Sequence, residues 1–182
     1  GASMAAMVGR KCLGTTLGFS TIDGLMMGTR CGNLDPGVVL HLMETKGLGV
    51  KEMTKMLYKE SGLLGVSGIS QDMRTLLASD KPEAQEAVDL FCYRIVRELG
   101  SLAAAAGGLD ALVFTGGIGE HAAEVRRCVC LQSEWLGIRL NAEANARHDL
   151  HIGAGNSSVD VLVIPTNEEW MMAHHAQTLL AL

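Results

Sequence analysis

Residues 110–120 read Asp-Ala-Leu-Val-Phe-Thr-Gly-Gly-Ile-Gly-Glu. The run from Leu112 to Phe114 is continuously apolar, which predicts a short strand buried on both faces. Glycines then interrupt the run, and Glu120 opens a helical pattern. Such a turn can hold phosphate, because glycines allow close backbone approach and the N–H groups and the helix dipole favour an anion. The alternative is a tight strand-to-helix turn without a ligand, and this stretch alone leaves both open.

Two common phosphate motifs are excluded by the residues around these glycines. A P-loop needs a Lys followed by Ser or Thr directly after the glycines, and neither pair occurs here. The glycine spacing also differs from the dinucleotide-binding fingerprint. A third class of nucleotide-binding fold places Gly-Gly turns after central strands. Whether this turn belongs to that class depends on the rest of the chain.

The segments on either side of the turn predict an α/β domain. Asp35 and Asp80 are predicted to cap the helices that follow them, and Glu83 stands at a capping-box position. Residues 18–37 form a long loop rich in glycine and polar residues, which is more often functional than idle in a compact domain. The predicted strands cover 2–8, 12–16, 112–114 and 159–164, and the predicted helices cover 38–43, 50–60, 81–106, 120–136 and 168–180.

The composition narrows the classes of function. The chain has 182 residues, a net charge of -5 and only 4% aromatic residues, so nucleic-acid binding is not predicted. No apolar run is long enough to cross a membrane, and no signal peptide is visible. The five cysteines form no Cys-x-x-Cys pair, which favours reduced thiols and a cytoplasmic location. The Cys128-x-Cys130 pair is predicted to pack in the core, and the histidines are predicted to be surface or helix residues.

Four stretches together resemble the acetokinase family of acetate and propionate kinases. They occur in the family's order and near its spacing, and the resemblance extends over the whole chain. The four stretches are Gly24-Leu25-Met26-Met27-Gly28-Thr29-Arg30, Lys59-Glu60-Ser61-Gly62-Leu63-Leu64-Gly65, Phe114-Thr115-Gly116-Gly117-Ile118-Gly119-Glu120 and Ile164-Pro165-Thr166-Asn167-Glu168-Glu169.

The resemblance implies the C-terminal half of an actin/Hsp70/sugar-kinase-like (ribonuclease H-like) fold, with a mixed sheet flanked by helices. Residues 1–182 would form a single nucleotide-binding domain. The family's phosphate loop ends in Gly-Ala-Ser, which matches residues 1–3. We therefore expect the family's N-terminal domain to be absent, together with its metal-contacting Asn, its Asp near the nucleophile, its substrate-binding Arg and its transition-state His.

The resemblance also implies the site residues. Nucleotide contacts would come from Gly1, Asp72, Met73, Arg74, Gly116, Gly117, Ile118, Gly119 and Glu120. Among these, Ile118 and Met73 would offer apolar contact to the base, and the glycine turn would line the phosphates and ribose. For Arg74 the alternative is a solvated charge at a helix start.

Arg30 aligns with the family's essential arginine, which bridges the substrate carboxylate and the transferring phosphoryl group. The planar guanidinium suits both oxyanions, so Arg30 is the predicted catalytic residue. The alternative is a surface ion pair with Asp23 or Asp35. The family usually has Pro where this chain has Thr21, a position that helps to form the acyl pocket. The choice between acetate and propionate stays open.

Magnesium would be bound by one of two neighbouring glutamates. If Thr166 caps the last helix, Glu169 falls at the third helical position and can close a capping box. Glu168 would then be free to bind Mg²⁺ directly or through water, as the family implies. We therefore predict Glu168 as the metal ligand, with Glu169 as the alternative.

Two functions remain open from the sequence. The first is the C-terminal, nucleotide-binding half of a carboxylate kinase, which makes an acyl phosphate from ATP and acetate or propionate and is inactive when alone. The second is a stand-alone nucleotide-binding module without catalysis. The resemblance further implies a homodimer through this domain, and Met and Leu on helices 38–60 and 81–106 are candidates for its contact.

Overall fold

The computed structural model describes residues 1–180, apart from the side chain of Glu168. Helices surround two small sheets, so the predicted α/β class is confirmed. The elements in chain order are strands β1 (Ala5–Val8) and β2 (Lys11–Thr15), helices α1 (Pro36–Lys46), α2 (Val50–Lys59), α3 (Gly62–Ser67), α4 (Met73–Leu77) and α5 (Pro82–Ala106), strand β3 (Ala111–Phe114), helices α6 (Gly116–His121), α7 (Ala123–Gln132) and α8 (Ala142–Ala146), strand β4 (Asp160–Val163) and helix α9 (Glu168–Leu180).

Helix α5 is the centre of the packing. Pro82 stands in its first turn and Gly107 ends it in the left-handed conformation, as the sequence predicts. The predicted caps are wrong, because Lys81 occupies the N-cap and no side chain bonds the first N–H groups of the helix. The helix contacts α3, α4, α7 and the β1–β2 hairpin. Its buried residues are Ala84, Ala87, Val88, Phe91, Cys92, Leu99 and Ala103, which keep the helical period.

Strands β3 and β4 form a parallel pair that carries the candidate turn. Phe114 lies opposite Val163 in the register, and residues 150–153 bond the other edge of β4 through antiparallel contacts. The prediction that β3 is buried on both faces is wrong, because Val113 is 45% exposed. Among the described residues β3 has only β4 beside it, which leaves one face and one edge uncovered.

A tight turn at Gly9 and Arg10 joins β1 to β2 between the two predicted strands. Gly9 and Arg10 both have positive φ, the conformation of the tight turn that matches the twist of a two-stranded ribbon.

Four segments of helix structure differ from the sequence prediction. Helices α3, α4 and α8 lie where no helix is predicted, and the predicted helix over 120–136 divides into α6, α7 and a short 3-10 turn over Glu134–Leu136.

Helix α1 begins where Asp35 accepts a hydrogen bond from the N–H of Gly37 at 2.8 Å, so this cap is confirmed. It has no buried residue.

Cys130 lies in the core, as predicted, and Cys128 is half-buried. No helix within residues 1–180 combines the length and the apolar character needed to cross a bilayer.

Candidate functional site

An open cleft of about 560 Å³ lies where three segments meet. The segments are the turn after β3, the start of α4 and the end of the long loop before α1. Gly1 and six other predicted nucleotide or catalytic residues line it. The lining residues are Gly1, Met27, Gly28, Thr29, Arg30, Gln71, Asp72, Met73, Arg74, Gly117, Ile118, His121 and Ala122.

The glycine turn is itself the first turn of helix α6. Gly116 has a φ of 71°, a conformation that residues with a Cβ rarely adopt. A Cβ on Gly117 would meet no atom within 4 Å, so this residue opens directly onto the cleft. Gly119 packs against the strand instead, because its Cβ would stand 3.3 Å from the carbonyl carbon of Phe114. Only Gly117 and Ile118 of the turn therefore line the cleft.

The carboxylate of Glu120 has a structural role. It accepts hydrogen bonds from the N–H of Gly116 at 2.7 Å and from the N–H of Thr166 at 3.0 Å. The Thr166 hydroxyl donates a third bond at 3.2 Å. The bond from the Thr166 N–H is the main cause that lowers the pKa of Glu120. Glu120 thus connects the glycine turn to the segment that follows β4, and its nucleotide contact stays a prediction.

Asp72 and Arg74 already bind each other. Asp72 caps α4 by accepting from the Arg74 N–H at 2.9 Å, and its second oxygen accepts from Arg74 Nη2 at 2.5 Å. The side-chain bond to Arg74 is the first cause that lowers the pKa of Asp72 to about 2. The side chain of Arg74 is 89% exposed, so the pair lies in water at the rim of the cleft. Arg74 is therefore a paired charge at the rim of the cleft.

The two predicted apolar contacts differ in their availability. Met73 is only 3% exposed and belongs to the core, with one edge at the cleft. Ile118 is half-buried and packs partly against the same core. The cleft therefore has a firm apolar floor at Met73 and a more accessible side chain at Ile118.

Arg30 points to the cleft from a loop that α3 holds in place. The N–H groups of Leu63 and Leu64 bond the carbonyls of Met27 and Gly28, each at 2.9 Å. The Arg30 guanidinium donates to the carbonyl of Thr21 at 3.2 Å. No carboxylate described in the structure lies within ion-pair distance of it, so the alternative pairing with Asp23 or Asp35 does not occur. The Arg30 guanidinium is thus held by a backbone carbonyl and has no carboxylate partner among the described residues.

The start of helix α9 differs from the prediction. Asn167 is its N-cap, since its side-chain oxygen accepts from the Trp170 N–H at 3.0 Å. Thr166 bonds Glu120 instead, so the predicted cap at Thr166 and capping box at Glu169 are wrong. A capping role therefore does not distinguish Glu169 from Glu168. The Glu168 side chain lies outside the described part of the structure, and its predicted role as metal ligand stays a prediction.

Comparison with known proteins assigns the chain to a family. Residues 1–174 match the acetokinase family as a whole. The chain belongs to the acetokinase family. It is 63% identical over 177 residues to an acetate kinase of Rhodopseudomonas palustris strain TIE-1, covering 96% of this chain and 44% of that protein. The acetate kinase of Rickettsia felis is 48% identical over 180 residues.

Two solved structures share the fold. The crystal structure of Porphyromonas gingivalis acetate kinase superimposes with a TM-score of 0.93 at 41% identity, covering 99% of this chain and 47% of that one. A propionate kinase from Francisella tularensis gives a TM-score of 0.89 at 38% identity, covering 94% of this chain and 45% of that one. This acetokinase chain therefore spans less than half the length of these relatives and corresponds to their C-terminal part.

Sequence reasoning missed several residues of this acetokinase cleft. Gln71, His121 and Ala122 line it, but they stand beside predicted residues and carry no pattern of their own. Arg126 is completely buried behind the glycine turn and was also missed. One signal could have found it. Arg126 stands three and four residues before Val129 and Cys130, so an arginine occupies the buried stripe of helix α7.

Magnesium has no assembled set of ligands among the described side chains, since no group of three His, Cys, Asp or Glu lies together there. Mg²⁺ in phosphoryl-transfer sites typically needs only one or two carboxylates, with the remaining positions taken by phosphate and water. In the cleft, Asp72 is the carboxylate among the described lining residues, and Arg74 already binds it. A metal at this cleft would therefore take most of its ligands from phosphate and water.

Proposed function

We propose that this acetokinase chain is the nucleotide-binding half of a short-chain carboxylate kinase. The reaction transfers the γ-phosphoryl group of ATP to acetate or propionate and gives an acyl phosphate and ADP. The observation that carries the proposal is the meeting of Arg30, the Asp72–Arg74 pair and the open Gly117 face in one cleft. Membership of the acetokinase family supports the same reaction.

The proposed chemistry requires positioning and charge neutralisation more than covalent participation of the protein. A carboxylate oxygen of the acid attacks the γ-phosphorus, and the bond to the oxygen that bridges the β- and γ-phosphates breaks. Arg30 would neutralise the acid and the transferring group with its fork of N–H donors. Mg²⁺, held by Glu168 and the phosphates, would supply further charge neutralisation when bound.

The acid is acetate or propionate, and the chain supports both equally. The two acids differ by one methylene, which a pocket discriminates by only ~1–3 kcal/mol. Thr21 occupies the position that the resemblance assigns to the acyl pocket, and its carbonyl accepts from Arg30. The pocket and the catalytic arginine are therefore linked through one backbone contact.

The nucleotide site is tested by titrating ADP into the 182-residue chain while recording amide NMR signals. We expect saturable shifts confined to residues 117–122 and 71–74, with a millimolar dissociation constant. The affinity should be low because, in a whole kinase, the other half supplies further phosphate contacts. Each of these contacts is worth roughly 1.5–3 kcal/mol. Arg30→Ala should bind ADP as the wild type does, since Arg30 serves the acid and the transferring group. Shifts that are absent, or that centre elsewhere, would reject the nucleotide site.

The same preparation separates the kinase half from a stand-alone module. A hydroxamate assay with ATP, magnesium and acetate or propionate should show no acyl phosphate, because the family's transition-state His and substrate Arg have no counterpart in these residues. Adding a separately produced N-terminal half of a relative should restore turnover if this chain is a kinase half. ADP binding without any restored turnover would favour the non-catalytic module.

A homodimer is the proposed assembly, and helix α1 offers its best surface. Leu40 and Met43 lie on one side of this helix and are 67% and 36% exposed, and no residue of α1 is buried. The apolar stripe of α5 faces the interior instead, so it is not available to a partner. The five free cysteines fit a cytoplasmic assembly.

Sedimentation of the Leu40→Asp variant tests this assembly. We expect the wild-type chain to be a dimer at micromolar concentration and Leu40→Asp to be a monomer, because a carboxylate would be buried without a partner in the contact. Thr45→Asp, on the same helix, is the control and should remain dimeric. A monomeric wild-type chain would reject the dimer.

A further inference from the structure

Arg126 on helix α7 is the largest completely buried side chain of the domain. Four of its five N–H donors bond oxygen atoms. The Nε and Nη2 groups bond the side-chain and backbone oxygens of Asn145 at 2.7 and 2.8 Å, and Nη2 also contacts His148 Nδ1 at 2.9 Å. The Nη1 group donates to the carbonyls of Gly119 and Glu120, both at 2.8 Å. Every nitrogen of the guanidinium thus has a hydrogen-bond partner although the group is removed from water.

No carboxylate described in the structure pairs with this buried charge. Burial lowers the pKa of Arg126 in the folded protein. Besides Asn145, its partners are the two carbonyls at the end of helix α6, where the helix dipole is negative and the last carbonyls have no bond within the helix. Part of the cost of burying the charge is therefore offset where the glycine turn ends.

Charged side chains consequently hold the glycine turn at both of its ends. At its start, the Glu120 carboxylate bonds the Gly116 N–H and Thr166. At its end, Arg126 bonds the carbonyls of Gly119 and Glu120. Asn145 in turn is anchored to the Ala123 carbonyl through its Nδ2 at 2.9 Å, so the support behind Arg126 is rigid.

We propose that Arg126 is a positioning residue that fixes residues 116–119 in the geometry that receives the nucleotide phosphates. This inference rests on the proposed nucleotide site. It differs from a purely structural role, because Arg126 acts on the one turn whose Gly117 face is open to the cleft. Loss of Arg126 should therefore weaken nucleotide binding by more than the accompanying loss of folded protein accounts for.

The test compares Arg126→Lys and Arg126→Gln with Arg127→Gln in the 182-residue chain. Arg127 is the adjacent arginine, but it is exposed and pairs with Glu124, so its loss leaves the turn untouched. ADP affinity is measured by NMR titration and corrected for the folded fraction at each condition. Amide hydrogen exchange is recorded for residues 116–122 and for α5. His148→Ala, at an exposed position, is a second variant that removes the imidazole contacts to Arg126 and to the Glu120 carbonyl without removing the arginine.

We expect Arg126→Gln to raise the ADP dissociation constant at least tenfold and Arg126→Lys to restore part of the affinity, because lysine keeps the charge but not the fork of donors. Exchange should rise in residues 116–122 and stay unchanged in α5. His148→Ala should weaken ADP binding about threefold, and Arg127→Gln should bind as the wild type does. His148→Ala decides the test if the Arg126 variants do not fold.

Wild-type ADP affinity in folded Arg126→Gln would overturn the inference, as would wild-type affinity and exchange in His148→Ala. A uniform rise of exchange through the whole domain would also overturn it, because it would mark Arg126 as a residue of the fold alone. Failure of the wild-type chain to bind ADP would instead reject the proposed function on which the inference rests.

Discussion

Gly117→Val should abolish detectable ADP binding while leaving the fold intact. The Cβ of residue 117 would meet no protein atom within 4 Å, so the new side chain occupies only the open space of the cleft. That space is where the phosphates are proposed to approach the backbone, and two methyl groups would hold them away. We expect the dissociation constant to rise at least tenfold in the NMR titration, with an unchanged melting temperature.

Gly155→Val is the matched control for this prediction. Gly155 is exposed, lies far along the chain from the turn, and also has no atom within 4 Å of an added Cβ. It should bind ADP as the wild type does. The expected loss comes from steric exclusion alone, because the positive φ belongs to Gly116 and not to Gly117. If Gly117→Val binds ADP normally, the glycine turn is only a turn.

Gly62→Ala should be the most destabilising small substitution near the site. Gly62 has a φ of 63°, and an added Cβ would stand 2.1 Å from the Met27 carbonyl oxygen and 2.8 Å from that of Arg30. Both are backbone atoms, so neither can swing aside. We expect a loss of about 3–5 kcal/mol in the free energy of unfolding, measured by denaturant titration of the far-UV signal. The loop that carries Arg30 would have to move away from α3.

Gly68→Ala separates the cost of the steric clash at Gly62 from the cost of backbone strain. Gly68 has nearly the same φ, 62°, but an added Cβ would meet nothing within 4 Å. Its substitution should therefore cost only about 1 kcal/mol, the strain of a non-glycine residue in the left-handed region. Equal losses in the two variants would show that the contact between α3 and the Arg30 loop is not what Gly62 protects.

The sequence predicts the outline of the site because its strongest signals are local. The apolar run and the glycines of residues 112–119 predict a strand and a turn from neighbouring residues alone, and the structure has both. The family resemblance adds Arg30 and Asp72–Arg74, which the fold then brings to the same cleft. Such contacts between distant segments cannot be read from spacing, so motifs that occur together were needed to predict them.

What the sequence missed depends on competition between distant groups. Thr166 and Asn167 are both good N-caps, and local preference does not choose between them. The choice is made by Glu120, 46 residues earlier, which binds Thr166 and leaves Asn167 to cap α9. Arg126 was missed for a similar reason, because its acceptors at Gly119 and Asn145 belong to other helices. Burial of a charge is decided by partners that a local pattern does not contain.

The meeting of α3 with the Arg30 loop has one further consequence. The N–H of Ser61 bonds the carbonyl of Thr29 at 3.0 Å, and the N–H of Cys31 bonds that of Leu57 at 3.2 Å. Residues 32–56, which contain α1 and most of α2, therefore form a segment whose two ends are held together by these hydrogen bonds. Closure entropy grows only slowly with length, so such a segment can lengthen or shorten at little cost. A change in the length of this segment would therefore leave Arg30 in its place, because the hydrogen bonds of Ser61 and Cys31 hold both ends of the segment.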